Sequence, residues 1–216
     1  MAASDQTSSP RGAATPRPPL TVFTVGHSTR TADDFIALLE GNGVALVVDV
    51  RRFPASRRHP QFAREALAAT LAGASIAYEW LPELGGRRAP RPGSPNTGWR
   101  DEGFRGYADY METEAFQLGI ARLVDLARTR PTAYMCAEHA WQQCHRGLIS
   151  DYLKVAGWEV VHILARGRTE LHPFTEPARV VDGALTGIRS SFVMRRALRS
   201  IRTADPVCPA PVERRR

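Results

Sequence analysis

The chain is 216 residues long, 43% apolar and 24% charged, a composition that excludes a wholly disordered chain. Its longest aliphatic stretch, residues 44–48, falls far short of the roughly 18 residues that a bilayer-spanning helix requires, so the sequence predicts a soluble protein with no membrane partner. Basic residues outnumber acidic ones 29 to 22, a net charge of +7, and all but Lys154 are arginines, whose planar forks grip phosphate and carboxylate with paired hydrogen bonds.

Residues 1–19 are mostly Ala, Ser, Thr, Pro, Gly and Arg with no secretory apolar core, and read as a disordered, uncleaved leader. Residues 20–186 read as one α/β domain, because short β-branched runs alternate with segments of helical period. Residues 21–25 are the first expected strand, ended by Gly26. Thr31 is placed to cap a helix, with Asp33 and Asp34 in its first turn, Phe35, Ile36, Leu38 and Leu39 on its buried face and Gly43 at its end. Residues 44–50 are almost wholly aliphatic, as in a strand covered on both faces. A helix over 62–71 and a strand over 76–81 follow. Residues 84–103, rich in Gly, Pro and Arg, are too long for a simple connector and read as a lid or substrate loop. Helices over 104–111 and 115–128, a strand over 132–136, a helix over 147–156 and a strand over 158–164 complete the domain. Residues 187–216, with eight arginines and one short helix expected around 192–201, read as a basic, largely disordered tail.

This order predicts an open three-layer α/β fold, a mostly parallel sheet of about five strands with helices on both faces. Ligands of such sheets bind outside the carboxyl ends of the strands. Three loops therefore become candidates. After the first strand, Gly26-His27-Ser28-Thr29-Arg30 combines a tight turn with donors near a helix start, a setting that favours anions. After the second, Asp49 and the arginines Arg51, Arg52, Arg57 and Arg58 occupy a proline-stiffened stretch suited to gripping phosphate. After the fourth comes Met135-Cys136-Ala137-Glu138-His139-Ala140-Trp141-Gln142-Gln143-Cys144-His145-Arg146, where a thiol ends a strand and an arginine opens the next helix, as where donors and a dipole stabilise a thiolate.

The spacing differs from the phosphatase-type loop, in which five residues separate cysteine and arginine. Nine intervene between Cys136 and Arg146, and only His145 between Cys144 and Arg146. Either cysteine is thus a candidate nucleophile, with Glu138 or Asp49 as acid or base and His145 as a further catalytic candidate. Arg51, Arg52, Arg57, Arg58 and Arg146 are the expected phosphate ligands. Cys136, His139, Cys144 and His145 could also ligate a metal, but the usual short-spaced pairs are missing and neighbours Cys144 and His145 are poorly placed to meet one tetrahedral ion. The expectation is no metal and no cofactor. Tyr78, Trp80, Tyr107, Tyr110 and Trp141 could stack on a base, of which only Trp141 lies in a candidate loop. Three cysteines, with Cys208 the last, form no disulfide framework and point to a reducing, cytoplasmic setting.

Gly26-His27-Ser28, Val48-Asp49-Val50-Arg51, Leu81-Pro82-Glu83-Leu84-Gly85-Gly86, Gly103-Phe104-Arg105-Gly106-Tyr107, Met135-Cys136-Ala137-Glu138 and Cys144-His145-Arg146, in this order, resemble domain-of-unknown-function family 488 over roughly residues 21–185. The resemblance implies a compact α/β domain of bacterial cytoplasmic type and adds Arg105 and Tyr107 to the candidate substrate-binding set. It implies no activity. The strand layout is also similar to that of rhodanese-like sulfurtransferase domains, a likeness of fold alone. Two functions fit: an enzyme acting on a phosphate-bearing substrate, nucleotide or nucleic acid, or a non-catalytic nucleic-acid-binding or adaptor protein. The sequence leaves the oligomeric state open.

Overall fold

A computed structural model of the chain describes residues 20–181 and 184–186. The expected leader, basic tail and tail helix lie outside these residues.

The aliphatic runs become the middle of one sheet. β1 (Thr21–Gly26), β2 (Leu46–Asp49), β3 (Ala77–Trp80), β4 (Thr132–Cys136), β5 (Glu159–Ala165) and β6 (Arg168–Leu171) lie in the order β3-β2-β4-β1-β5-β6, all parallel except β6, which runs antiparallel to β5. Every residue of β2 and β4 is buried, as expected of strands covered on both faces. The open, mostly parallel sheet expected from the sequence is present, with β6 as one edge strand that the sequence reading did not place. Arg168-Thr169-Glu170-Leu171 is too polar to announce a strand, yet Gly167, at φ +66°, lets the chain turn back and pair this segment with β5. Its polar face suits an edge that must not recruit further strands. β7 (Arg179–Val181) and β8 (Ala184–Thr186) form a separate two-stranded ribbon.

Among the described residues five α-helices form the outer layers: α1 (Ala32–Glu40), α2 (Arg64–Gly73), α3 (Glu102–Tyr110), α4 (Glu114–Thr129) and α5 (Arg146–Val155). Thr31 caps α1 as expected, its hydroxyl accepting from Asp34 N–H at 3.1 Å. Gly41 closes that helix, and Gly43 lies in the turn beyond. Phe62 sits in a separate 3₁₀ turn, Pro60–Phe62, before α2. Side-chain parity along the strands sorts the core into two clusters. Val25, Val47, Ala133, Met135 and Ile163 pack with Phe35, Leu38, Leu39, Leu67 and Leu71 of α1 and α2. Leu46, Val48, Tyr134 and Cys136 pack instead with Tyr107, Phe116, Ile120, Leu148 and Tyr152 of α3, α4 and α5.

The chain moves outward from β1 to β3 over the first layer and returns through β4 and β5 over the second. The direction therefore reverses beside β1 and β4, where an open sheet leaves a crevice between diverging connections. Parity puts the Cys136 side chain on the α3–α5 side of that crevice.

Candidate active site

The loop after β1 is pinned before any ligand is considered. His27 and Ser28 extend the sheet ladder by donating backbone N–H groups to Cys136 O at 3.0 Å and Ala137 O at 2.8 Å. Gly26 has no room for a side chain, because a Cβ there would lie 1.9 Å from Glu138 O. That carbonyl instead accepts from Arg146 Nη2 at 2.6 Å, while Nη1 donates to Thr24 Oγ1 at 3.0 Å. Arg146 is 1% exposed and faces the protein interior. Arg30 likewise spends its guanidinium on Gly26 O and Leu164 O.

In the loop after β2, Asp49 is fully buried and accepts from Arg51 Nε, Arg51 Nη2 and the Tyr78 hydroxyl, the last at 2.8 Å. Arg51 Nη1 approaches His27 Nε2 at 3.3 Å, and His27 Nδ1 donates to Ser28 O. His27 therefore presents an unprotonated Nε2 to the arginine. Burial, reinforced by Arg51, pulls its pKa down to about 4 despite the bond to Ser28, so it is neutral at physiological pH. Asp49 thus holds Arg51 in place rather than facing a substrate. Arg52 is exposed and braces the lid by donating to Arg87 O at 2.9 Å.

The lid, residues 85–101, is fastened at several points. Asp109 of α3 accepts from Arg91 N–H, Ser94 Oγ and Asn96 Nδ2, at 2.9, 2.7 and 2.7 Å. Burial pushes its carboxyl up, but these three bonds and the Arg91 charge outweigh burial and hold it below its ordinary value. Tyr107 donates to Leu84 O, and Arg105 to Trp99 O.

Between the lid and the β2 and β4 loops lies a cleft of about 400 Å³, within the size range of small-molecule sites. Arg51, Arg52 and Phe53 line it from the β2 loop, and Gly86, Arg87 and Asp101 from the lid. Phe104 and Tyr107 of α3 contribute rings, while Glu138 and Gln143 stand with the two cysteines and His145 in the β4 loop. Phe53 is 62% exposed and marks the mouth; Cys136 and Cys144, at 8% and 3%, form the floor.

The floor brings together the groups that carry chemistry. One ligand atom each from Cys136, Cys144 and His145 lie within 4.8 Å of one another. His145 Nε2 stands 3.1 Å from Val50 O, which fixes the proton on that nitrogen and leaves the Nδ1 lone pair facing Cys144 Sγ at 3.6 Å. Their surroundings push the two buried thiols in opposite directions. The bond to Cys144, then burial, push Cys136 well up. Burial also raises Cys144, but the bond from Cys136 and the neighbouring His145 and Arg146 outweigh it and hold Cys144 well below its ordinary value.

Of the residues singled out from the sequence, Arg51, Arg52, Tyr107, Cys136, Glu138, Cys144 and His145 line the cleft. Gly26, His27, Ser28, Asp49 and Arg146 lie behind it as its framework. Arg57, Arg58 and Arg105 do not line it, the first two being exposed and Arg105 serving the lid. Trp141 is buried, its ring stacked on His162 at 4.5 Å, so it is not available to a base. Sequence reasoning missed Phe53, Arg87, Asp101, Phe104 and Gln143 as lining residues. It also gave no role to Gly86, although the Leu84-Gly85-Gly86 motif was its signal.

The family described as "Domain of unknown function DUF488" matches residues 31–153, more than half of the chain. This span runs from the cap of α1 into α5 and includes the β2 loop, the lid and both floor cysteines, but not β1 or His27. No curated protein and no solved structure matches the chain significantly.

Proposed function

The chain belongs to the DUF488 family, and on that premise we propose that it is an enzyme acting on a phosphate-bearing substrate, a nucleotide or a nucleotide unit of a nucleic acid, with Cys136, Cys144 and His145 as its reacting centre. The observation that carries the reading is the depth profile of the cleft: sulfur and imidazole at the floor, arginines and aromatic rings above them. Arg52 and Arg87 offer cationic forks toward phosphate, while Phe53 and Phe104 offer faces to a planar base. Glu138, exposed in the same cleft with its carboxylate free of the framework bonds that occupy Asp49, is the acid–base group of this reading. Two free thiols at the centre suit a reducing compartment, and on that ground the protein is assigned to the cytoplasm.

The test is a thermal-shift panel of inorganic phosphate, nucleoside mono- and diphosphates and short single-stranded oligonucleotides. A ligand at 100 times its dissociation constant should stabilise the fold by about 2.7 kcal/mol and slow iodoacetamide labelling of the floor cysteines. Arg52→Ala with Arg87→Ala should weaken that ligand by about tenfold or more, close to 1.4 kcal/mol. If no phosphate-bearing compound stabilises the protein or shields the thiols, the reading fails. Oligonucleotide affinity that falls steeply with salt but leaves thiol labelling unchanged would favour the adaptor instead.

A further inference from the structure

We infer that Cys136, Cys144 and His145 form a site for one divalent transition-metal ion of the zinc class, with its fourth coordination position open to the cleft. The inference rests on the reading of the cleft as a reactive site and names what would occupy its floor.

Distance is the first argument. Zinc–sulfur and zinc–imidazole bonds of about 2.3 and 2.05 Å at tetrahedral angles separate sulfur from nitrogen by roughly 3.6 Å, and sulfur from sulfur by roughly 3.8 Å. Cys144 Sγ and His145 Nδ1 are 3.6 Å apart, and all three donor atoms fall within 4.8 Å. Adjacent Cys144 and His145, which the sequence suggests are poorly placed to meet one ion, thus have their donor atoms at the spacing that one ion needs. His145, at φ −55° and ψ −15° at the start of α5, turns its ring back over the preceding residue.

Orientation is the second. A ligating histidine commonly donates its other ring N–H to an oxygen, which fixes the tautomer and aims the free lone pair. Val50 O takes this part at Nε2, leaving Nδ1 as the ligand. Packing is the third: a Cβ on Gly86 would lie 2.7, 3.0 and 3.2 Å from Nδ1, Cγ and Cε1, over the face of the ring, so only a glycine lets the backbone lie against the imidazole and hold it in this orientation.

Donor type and count select the ion. Two sulfurs and an imidazole, with no carboxylate among the three, suit zinc-class ions and not magnesium or calcium. Three protein ligands rather than four leave a position for water or a substrate oxygen, the pattern of catalytic rather than structural zinc. Two thiolates would balance a divalent ion, and the nearby Arg51 is already paired with Asp49. At the fourth position the ion would polarise a phosphate oxygen or a bound water, with Glu138 in the same cleft.

The experiment uses the full chain carrying Cys208→Ser, reduced and stripped by a chelator, then titrated with Co²⁺ as a spectroscopic stand-in and with Zn²⁺ in competition. The expected result is one ion per chain, with tetrahedral ligand-field bands and a thiolate-to-cobalt band of two-sulfur intensity that Zn²⁺ displaces. Cys136→Ser should halve the thiolate band and weaken Zn²⁺ by more than about a hundredfold, beyond the loss that outer partners cause. Glu138→Gln should leave the spectrum unchanged. Where a cysteine variant does not fold, the unsubstituted pair still decides: bound Zn²⁺ should shield Cys136 and Cys144 together from iodoacetamide. Absence of the thiolate band, or labelling at equal rates with and without Zn²⁺, overturns the site. Stoichiometric zinc with no phosphate-bearing ligand would overturn the proposed substrate class while keeping the metal. Phosphate binding without zinc would do the reverse.

Discussion

Two histidine clusters adjoin α5 and differ in what they leave unspent. In the first, Asp151 accepts from His172 Nε2 at 3.0 Å, from Thr175 N–H at 2.9 Å and from Thr175 Oγ1 at 2.5 Å, and His172 Nδ1 meets His162 Nε2 at 2.9 Å. Trp141 covers His162 face to face. Asp151, His162 and His172 are all buried, and none lines the cleft. Among the described residues His162 Nδ1 and Trp141 Nε1 have no hydrogen-bond partner, yet the carboxylate is saturated and the chain of contacts ties α5 to β5 and to the segment after β6. In the second cluster, His145 spends one nitrogen on Val50 O and keeps the other aimed at two sulfurs beneath a cleft. The contrast is one of valence: a cluster whose acceptors are filled from within holds shape, and one whose lone pairs converge on accessible space is equipped to bind.

That contrast can be broken by substitution. Asp151→Ala should have the largest effect, since it strands His172 and Thr175 in a buried setting; a loss of about 3–5 kcal/mol in chemical denaturation is expected, with labelling of the floor thiols unchanged in the folded fraction. A loss below 1 kcal/mol would show that the sealed cluster does not hold the fold. Next comes acid sensitivity at His27. Its folded pKa, about 4, lies below the unfolded value of 6.5, so the unfolded chain gains the proton first and stability falls as pH drops from 6.5 toward 4. The drop from this residue is about 3 kcal/mol, and His27→Asn should remove it from a stability–pH profile. Cys136→Ser should cost only about 1 kcal/mol, the scale of one imperfectly satisfied buried hydroxyl, while changing cleft chemistry outright. Smallest of all, Arg57→Ala and Arg58→Ala should shift stability by less than about 0.5 kcal/mol and leave phosphate-ligand affinity as it was. Calorimetry that found a tenfold weaker ligand would enlarge the site beyond the cleft.

Much of the frame is legible without coordinates. Residues 132–136 read as a strand because a short, largely apolar run follows Pro131 between two segments of helical period, and β4 occupies those residues. Thr31 reads as a cap because a hydroxyl precedes two acidic residues and an apolar face, and it serves as one. β6 escaped because its stability comes from pairing with β5 through a glycine turn and not from an apolar face of its own. Arg146 reads like Arg52 in sequence, but one reaches inward to Thr24 and Glu138 while the other is exposed. A run of arginines carries no mark of which guanidinium a carbonyl will claim.

The sequence by itself determined the alternation of strand and helix, the loops at the carboxyl ends of β1, β2 and β4, and the presence of thiol, imidazole and guanidinium in them. These follow from periodicity, turn residues and side-chain type, which act over a few neighbouring positions. Only the tertiary structure decided that Gly86 lies against the face of the His145 ring, that Val50 O sets its tautomer, and that Cys136 meets Cys144. Those relations depend on strand parity and on crossovers joining distant segments, so the energy that fixes them is shared across the whole core and is written at no single position.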